Sequence, residues 1–496
     1  MSKGNRGLLK LNSIGRNLIK CIEITICCIL VCSSVATKAQ ADDGFDILSI
    51  IPAITRKTNI KQGLGSVYYI DAINGNDSNN GLSVVTAWKT VRKVNESSFR
   101  VGDNILFKKG TTWNEELIVS SSGGLNNPLT YGSYGSGVNP IIDATNLSNG
   151  IDINKKNYIT INGIDIKKAN QDGIVSLSSS SYIVITNCKV TNCGGSGIKV
   201  WSGSVSSNNW TVVNNEITYN KINGVDISGY CNNFNIENNI IHDNCSSTAD
   251  DYLAGIKIIN PTIYNMTIQN NKVYSNGVKN AHYRGAGIWL DTIGTGSIIR
   301  YNNCYKNNYV GIKNEATSNT LIYYNILYNN NDSGIDVSRI CHNCQVYNNT
   351  CYANHDGITI IGDYPPQSNN MINNLIKNNI SVGNISRQLF TANGGENIQG
   401  GSGNIYTNNC FGIESSNFIE WGNGGTKSNY AAWEASYGDT THSIQGDSQL
   451  VNPISDFHLQ PSSICINAGV NVGLTRDFYG NSVPKNGGPD IGAAEY

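Results

Sequence analysis

The chain of 496 residues has few charged residues and no basic stripe. Lys, Arg, Asp and Glu together make up 14% of the sequence, and the formal net charge at pH 7 is −1. A nucleic-acid-binding protein needs clustered Lys and Arg to neutralise phosphates, so this composition argues against a nucleic-acid partner. Gly, Asn, Ser and Tyr are abundant instead, a mixture that favours repeated turns and short strands over helices.

Long apolar runs are also missing. The run at residues 21–35 follows five basic residues, and small residues follow it as far as Ala39. It is too short for a membrane-spanning helix, which needs about 20 apolar residues. This pattern is typical of a secretory signal peptide, which we predict at residues 1–40. We therefore expect a secreted protein, whether extracellular, periplasmic or at the cell surface, with no transmembrane segment.

The cysteines do not form a metal-binding pattern. Four of the 14 lie in the predicted signal peptide, and Cys341-His-Asn-Cys344 has CxxC spacing without a second pair at a zinc-like distance. We therefore favour a structural or disulfide role for this pair over a metal site. An exported chain permits disulfides, although the spacings do not reveal which cysteines would pair.

A Gly-apolar-x-apolar phrase recurs through the middle of the chain, with 23 to 32 residues between successive copies. No helical pattern intervenes, and the Leu scaffold of a leucine-rich repeat is absent. Each repeat holds two or three short strands separated by Asn/Gly turns. The phrases begin at Gly150, Gly173, Gly197, Gly224, Gly255, Gly287, Gly311, Gly334 and Gly357.

Stacked repeats of this kind form a parallel β-helix, in which each strand pairs with its counterparts in the coils above and below. Inward Ile and Val fill the interior, and a buried Asn near the middle of each repeat is expected to hydrogen bond to the next coil. The candidate Asn residues are Asn187, Asn214, Asn238, Asn270, Asn302, Asn325 and Asn348.

The repeats resemble those of the right-handed parallel β-helix proteins of the pectate-lyase-like superfamily. The resemblance implies an all-β solenoid, which we predict over residues 149–410. We expect an N-terminal cap and first coils at residues 67–148, a capping segment at residues 411–496, and a linker at residues 41–66. Caps of this kind cover the open edges of the end coils.

Strand alternation predicts that Asp291 and Glu315 lie side by side. In each phrase the first and third residues after Gly are apolar and face the interior, so the second and fourth face outward. The fourth residue is Asp291 in one coil and Glu315 in the next, about 4.8 Å apart at the backbone. Trp289 and Lys313 hold the second positions of the same strands. Asn314 is polar but takes an inward position, which suggests a distortion of the strand. Such a distortion would change the direction in which the Glu315 side chain points.

Two coils are longer than the others and add their extra residues just before Gly255 and Gly287. Insertions in a solenoid lie along one edge and often form the wall of a binding site. These two flank the outward positions of Lys257, Trp289 and Asp291, so independent features meet in one patch. The residues that the insertions bring there are Asp250, Asp251, His282, Tyr283 and Arg284.

Two carboxylates about 5 Å apart suit a retaining glycoside hydrolase, in which one attacks the anomeric carbon and the other donates and then recovers a proton. Like charges this close also push apart the two pKa values. Trp289 offers a stacking face for a sugar. The other candidate substrate-binding residues are Lys257, His282, Tyr283, Arg284 and Lys313.

The phrases AGIKI at 254–258 and GIWLD at 287–291, with Glu315 one coil later, resemble the β-xylosidases of glycoside hydrolase family 120. The resemblance implies that Asp291 is the nucleophile and Glu315 the acid/base, acting on a xylan-like plant poly- or oligosaccharide without a cofactor. This chain departs from the family at Thr292, where the family has Trp. It also reads ATSN after Glu315, where the family has Asn-His-Gly.

Two other functions stay open at this point. A polysaccharide lyase acting on pectin or alginate needs a base and a cation, for which Lys257 or Arg284 and a Ca²⁺ held by Asp250 and Asp251 are candidates. Against it, the Asp-Asp-Gly-Trp-Asp run of family 9 pectate lyases is absent. The third possibility is a non-catalytic glycan-binding or surface β-helix protein, in which Asp and Lys pair across coils.

Overall fold

A computed structural model describes residues 65–260, 262–278, 283–362, 371–393, 401–416, 418–422 and 425–496. The chain divides into two units, Met1–Gln62 and Gly63–Tyr496, and the described residues belong to the second. The predicted signal peptide, nearly all of the predicted linker and His282 lie outside the described residues. Among the helices that the model describes, none is both long and apolar enough to cross a bilayer.

Each full coil contains three short strands, and successive coils pair in parallel. One coil, for example, consists of Arg284–Asp291, Ile298–Arg300 and Asn303–Tyr305. The first two strand positions of the coils join into a 24-stranded sheet, and the third positions form a 13-stranded sheet. The predicted all-β, right-handed parallel β-helix is confirmed.

The strands of the large sheet are Val67–Ile70, Asn104–Lys108, Leu117–Ile118, Leu129–Tyr134, Ile151–Asp152, Ile159–Asn162, Ile174–Ser176, Ile183–Thr186, Ile198–Val213, Val225–Glu237, Leu253–Ile259, Tyr264–Gln269, Arg284–Asp291, Ile298–Arg300, Ile312–Glu315, Leu321–Tyr323, Ile335–Ser338, Gln345–Tyr347, Asp356–Gly362, Leu375–Lys377, Arg387–Asn393, Ile405–Thr407, Ile419–Trp421 and Thr426–Lys427.

The strands of the second sheet are Thr112–Trp113, Ile141–Asp143, Asp165–Lys167, Lys189–Thr191, Glu216–Thr218, Ile240–His242, Lys272–Tyr274, Asn303–Tyr305, Ile326–Tyr328, Thr350–Tyr352, Ile380–Val382, Cys410–Gly412 and Ile444–Gln445. Leu450–Asn452 and Asp456–Leu459 form a separate antiparallel pair. The helices within the described residues are Val84–Thr86 (3₁₀), Val91–Asn95 and Tyr430–Tyr437.

The interior is a continuous apolar core. The first and third residues of each Gly-apolar-x-apolar strand, such as Ile288 and Leu290, are fully buried. Trp88 joins this core near the N-terminal end, and Trp433 of the last helix joins it near the C-terminal end. Phe457 packs instead beside Tyr328 of the second sheet, so the C-terminal residues also cover part of that side.

The recurring glycines lie where neighbouring coils approach closely. A Cβ built on Gly287 would lie 2.4 Å from the carbonyl oxygen of Gly311 and 2.9 Å from Nδ2 of Asn307. Because real Cβ atoms do not come so near to a backbone oxygen, any side chain here would push the two coils apart. The glycine thus fixes the start of the strand that carries the outward residues.

Buried asparagines link the coils, as predicted. Nδ2 of Asn302 donates to Oδ1 of Asn325 at 3.0 Å, and Nδ2 of Asn325 donates to Oδ1 of Asn349 at 3.0 Å. In several coils the linking residue is one later than predicted, because the first Asn of the pair takes a left-handed turn conformation. The full ladder is Asn215, Asn239, Asn271, Asn302, Asn325, Asn349, Asn379 and Asn409.

We expect Asn325→Ala to lower the free energy of unfolding by about 1–3 kcal/mol, because two buried donors lose their acceptor. These are the backbone N–H and the Nδ2 group of Asn302, which both donate to Oδ1 of Asn325 at 3.0 Å. Chemical denaturation measures the change. Asn331→Ala, in an exposed turn, is the matched control. Equal denaturation midpoints for the two variants would contradict the structural role of the ladder.

Candidate functional site

The predicted register of the outward residues is confirmed. Asp291 pairs with Glu315 on adjacent strands, and Trp289 pairs with Lys313. Lys257 pairs with Trp289 on the preceding strand. The pair of carboxylates therefore lies in neighbouring coils, with two lysines and one tryptophan beside it. Their catalytic roles remain predictions.

Asn314 does not distort the strand. Its side chain is buried in the interior, where Nδ2 lies 3.5 Å from Sγ of Cys344 and 3.6 Å from Sγ of Cys341. The strand stays paired with both neighbouring strands, so Glu315 keeps its outward direction. Cys341 and Cys344 are free thiols in a buried polar pocket, and the other cysteines of the described residues are also free.

Three of the outward residues, Trp289, Lys313 and Glu315, line a cavity of about 300 Å³, whereas Asp291 and Lys257 are not among its described lining residues. Tyr252 and Tyr283, which the two insertions supply, form an exposed wall with their rings stacked 5.8 Å apart. The ring centroids of Tyr309 and Trp289 lie 5.9 Å apart at the floor of the cavity. The residues that line the cavity are Tyr252, Tyr283, Trp289, Tyr309, Lys313, Glu315, Asp336, Ser338, Arg339, Ile361 and Gly362.

Trp289 differs from the expectation of an open stacking face. Its side chain is 2% exposed, and Nζ of Lys257 lies 3.3 Å from the ring centroid. The ammonium group therefore covers one face of the indole, which a sugar ring cannot occupy. The exposed aromatic rings at the cavity belong to Tyr252 and Tyr283 instead.

Asp291 is held by two donors. Nζ of Lys257 donates to Oδ2 at 2.8 Å, and Oγ1 of Thr292 donates to Oδ1 at 2.9 Å. Lys257 is itself buried, and burial lowers its pKa, although the attraction of Asp291 and Glu315 partly opposes this effect. The ion pair neutralises the charge of Asp291 while leaving the carboxylate partly accessible.

Glu315 is more deeply buried and is held by a different set of donors. Nε1 of Trp289 donates to Oε2 at 2.9 Å, and Nε of Arg339 forms an ion pair with Oε1 at 2.6 Å. Nζ of Lys313 lies 4.0 Å from Oε2. Arg339 was not predicted, because it follows the end of its strand and adopts a left-handed conformation outside the alternating pattern. Its side chain is 56% exposed, in contrast to the buried Trp289 and Lys313.

Lys313 connects the carboxylate pair to a third acid, Asp336. Nζ donates to Oδ2 of Asp336 at 3.0 Å and to Oγ of Ser338 at 2.8 Å. Burial lowers the pKa of Lys313, but the attraction of Asp336 and Glu315 outweighs it, so the pKa lies above its ordinary value. Oδ1 of Asp336 is buried without a hydrogen-bond partner among the described residues. Asp336 holds the second, outward position after Gly334, but strand alternation alone gave no reason to select it.

The charged residues of the insertions bond mainly to other residues of the insertions. Nε of Arg284 donates to Oδ1 of Asp251 at 2.7 Å, and Oγ of Ser247 donates to Oδ2 of Asp250 at 2.6 Å. Both aspartates are exposed, and the described part of the chain contains no group of three or more side chains suited to hold a metal. A calcium site at Asp250 and Asp251 remains a prediction. Tyr283 lines the cavity, whereas Arg284 is not among the described lining residues.

A second cavity of about 450 Å³ continues the first toward the C-terminal coils. The two cavities share Tyr283, Tyr309, Asp336 and Ile361. Its far wall holds the guanidinium of Arg387, whose Nε donates to Oδ1 of Asp356 at 2.8 Å. The combined depression therefore extends over several coils along the solenoid axis.

Comparison with known proteins supports this architecture. The family model described as the right handed beta helix region matches residues 131–295 and 254–411. A lacto-N-biosidase of Bifidobacterium longum subsp. longum is 28% identical over 145 residues, a stretch covering 28% of this chain. The same stretch spans only 9% of that protein's length.

Two solved structures are similar in fold. The pectate lyase Pel9A matches with a TM-score of 0.53 and 18% identity, covering 87% of this chain and 97% of that chain. The complex of XylC with xylose matches with a TM-score of 0.50 and 13% identity, covering 64% of this chain and 75% of that chain. At such low identity the likeness concerns the fold alone.

We expect Lys313→Met to lower the free energy of unfolding by about 3–5 kcal/mol, because it leaves the buried carboxylate of Asp336 without its cation. A lysine with a raised pKa stabilises the fold below the ordinary lysine pKa, and this contribution is lost as the pH rises through the raised value. The difference from the wild type should therefore persist from about pH 5 to pH 9 and shrink only above that range.

Chemical denaturation at several pH values measures this difference. Lys199→Met is the matched control, since Nζ of Lys199 lies 3.9 Å from Asp226 and is partly exposed. Such a pair contributes about 0–1 kcal/mol. A Lys313→Met variant as stable as Lys199→Met, or a difference that vanishes at neutral pH, would contradict the described ion pairing.

Proposed function

We propose that this chain, which belongs to the family of right-handed β-helix proteins, is an exported glycoside hydrolase that retains anomeric configuration. The observation that carries the proposal is the pairing of Asp291 with Glu315 on adjacent strands, where Glu315 lines an open cavity. Neighbouring strands lie about 4.8 Å apart. Retaining glycosidases use two carboxyl groups about 5–5.5 Å apart, so the coil spacing by itself supplies a suitable separation.

Asp291 is the proposed nucleophile. It is the more accessible of the two carboxylates, and its bonds from Lys257 and Thr292 fix the direction of its oxygens. A fixed carboxylate loses little freedom when it attacks the anomeric carbon. In the covalent intermediate Asp291 is an ester and carries no charge. The nearby carboxylate of Glu315 then still attracts the ammonium group of Lys257.

Glu315 is the proposed acid/base. It has to give a proton to the leaving-group oxygen and later take one from water. Trp289 holds one of its oxygens in a buried contact, which keeps the carboxyl group oriented. The exposed Arg339 holds the other oxygen, and we propose that this contact opens when the substrate enters.

The proposed substrate is a poly- or oligosaccharide. Support comes from the cavity walled by Tyr252 and Tyr283, whose amphipathic rings suit the apolar faces and hydroxyls of sugars. The similarity to a protein named lacto-N-biosidase also favours a glycan. The GIWLD phrase with Glu315 favours a xylan-like chain. The proposed chemistry needs no cofactor, and the predicted signal peptide supports an extracellular, periplasmic or cell-surface location.

A polysaccharide lyase is the second candidate. Burial lowers the pKa of Lys257, as a base that removes a proton beside a uronate carboxylate would require. In this alternative a calcium ion held by Asp250 and Asp251 would neutralise the uronate carboxylate. A non-catalytic protein accounts for the ion pairs of Lys257 and Lys313, but it gives no reason for a cavity lined by Glu315 and the exposed rings of Tyr252 and Tyr283.

We expect Asp291→Asn and Glu315→Gln each to lower hydrolysis by roughly 100- to 10,000-fold while the fold stays intact. The protein is incubated with xylan, arabinoxylan, pectin, alginate and aryl glycosides. Reducing sugar and unsaturated-uronate absorbance are recorded together, with and without a chelator. Asp152→Asn is the matched control, because Asp152 holds an outward position of a repeated strand several coils away.

Reducing sugar without the absorbance, lost in both variants and kept in Asp152→Asn, is the expected result. Absorbance that survives both substitutions would contradict the glycosidase and favour the lyase with Lys257 as base. Full hydrolysis by either variant would remove that residue from the mechanism.

A further inference from the structure

The outward ladder that carries the carboxylate pair also carries an exposed tryptophan. Trp201 pairs with Ser228, Ser228 with Ile259, and Ile259 with Asp291. Trp201 thus lies three coils before Asp291 at the same position of the strand, about 14 Å away by strand spacing. Its side chain is 45% exposed, in contrast to the buried Trp289.

Trp201 forms one wall of a separate cleft of about 390 Å³. Within the long strand Ile198–Val213, the pairing with the next coil shifts between Ser202 and Ser207, and the extra residues there form another part of the wall. Leu177 and Val205 add apolar surface, and Lys155 is the single charged residue among those described around the cleft. The remaining lining residues are Ser178, Ser179, Ser202, Gly203 and Ser204.

The position of the indole depends on Gly203. A Cβ built on Gly203 would lie 2.7 Å from Cη2 of Trp201, so the ring rests against bare glycine backbone. A flat aromatic ring surrounded by hydroxyl groups matches a sugar, which presents an apolar C–H face and a polar rim. The wall holds one cation, Lys155, and lacks the row of basic side chains that would bind successive carboxylates of a uronate polymer, which favours an uncharged glycan.

The path from this cleft to the carboxylates suits an extended chain. The ladder positions between Trp201 and Asp291 hold Ser228 and Ile259, neither of which is charged. Ile259 is exposed and continues the apolar surface toward the site. A single sugar ring cannot reach across the three intervening strand spacings, whereas an oligosaccharide lying along the solenoid axis contacts both ends.

We infer that Trp201 and its cleft form a glycan-binding subsite for an uncharged polysaccharide chain that extends toward Asp291. The protein then acts on chains of several sugars rather than on an isolated terminal sugar. The inference rests on the proposed function in taking a glycan as the occupant. Binding at Trp201 does not require hydrolysis, so the two claims can fail separately.

The test measures binding in a chain that carries Asp291→Asn, which prevents turnover during the measurement. Affinity electrophoresis is run in gels containing arabinoxylan, glucomannan or polygalacturonate. We expect at least one neutral polymer to retard the protein, and Trp201→Ala to weaken that binding by about tenfold, the order expected on removal of an aromatic anchor. Trp201→Phe, which keeps a ring, should retain part of the affinity.

Tyr219→Ala is the matched control, because Tyr219 is 55% exposed and follows a strand of the second sheet. Thermal denaturation checks that every variant is folded. Equal binding by Trp201→Ala and Tyr219→Ala, binding of polygalacturonate alone, or binding of none of the polymers would each overturn the subsite. Neutral-polymer binding that depends on Trp201, in a protein without hydrolytic activity, would support the subsite and overturn the proposed hydrolase.

Discussion

The register of the parallel strands determines where every candidate functional side chain of this protein lies. Glycine at the start of each repeated strand allows the coils to approach closely, and the buried asparagine ladder joins them by paired hydrogen bonds. With register and spacing fixed, the fourth outward position of one coil lies beside that of the next. Asp291 and Glu315 are thus neighbours because of the backbone, and their side chains need little further arrangement.

The same stacking explains how two carboxylates are tolerated side by side. Each has a cation on an adjacent strand or at a strand end: Lys257 for Asp291 and Arg339 for Glu315. Lys313 lies between Glu315 and Asp336 and continues the alternation of charge. Such a ladder stabilises the coil, and it also provides the charge balance that a pair of catalytic carboxyl groups requires.

Much of this arrangement could be predicted from the sequence, because a strand alternates with period two and a solenoid repeats with a nearly constant length. Those two rules sufficed to place Asp291 beside Glu315 and to locate the insertions beside them. They did not predict that Tyr252 and Tyr283 form the exposed wall while Trp289 is buried under Lys257. Whether an outward residue is buried depends on which residues the neighbouring loops cover, and strand alternation gives no information about the loops.

Arg339 and the asparagine ladder show the second kind of limit. Both depend on residues in left-handed conformation at turns, which shift the pattern by one residue. The alternation of inward and outward residues holds only within a strand. It therefore cannot predict that a side chain from just beyond the strand end, such as that of Arg339, returns to the site. The Asn-Asn pairs predicted that each coil buries an asparagine, but the pattern did not tell which of the two asparagines is buried.

The anomeric configuration of the first product tests the central claim most directly. Proton NMR, recorded in the first minutes of hydrolysis of a susceptible glycoside, distinguishes the two anomers before they equilibrate. Carboxylates on adjacent coils predict a product with the same configuration as the substrate, through a covalent intermediate on Asp291. A product of inverted configuration would require a water between more widely separated carboxyl groups, and would contradict the assignment of Asp291 and Glu315 as the catalytic pair.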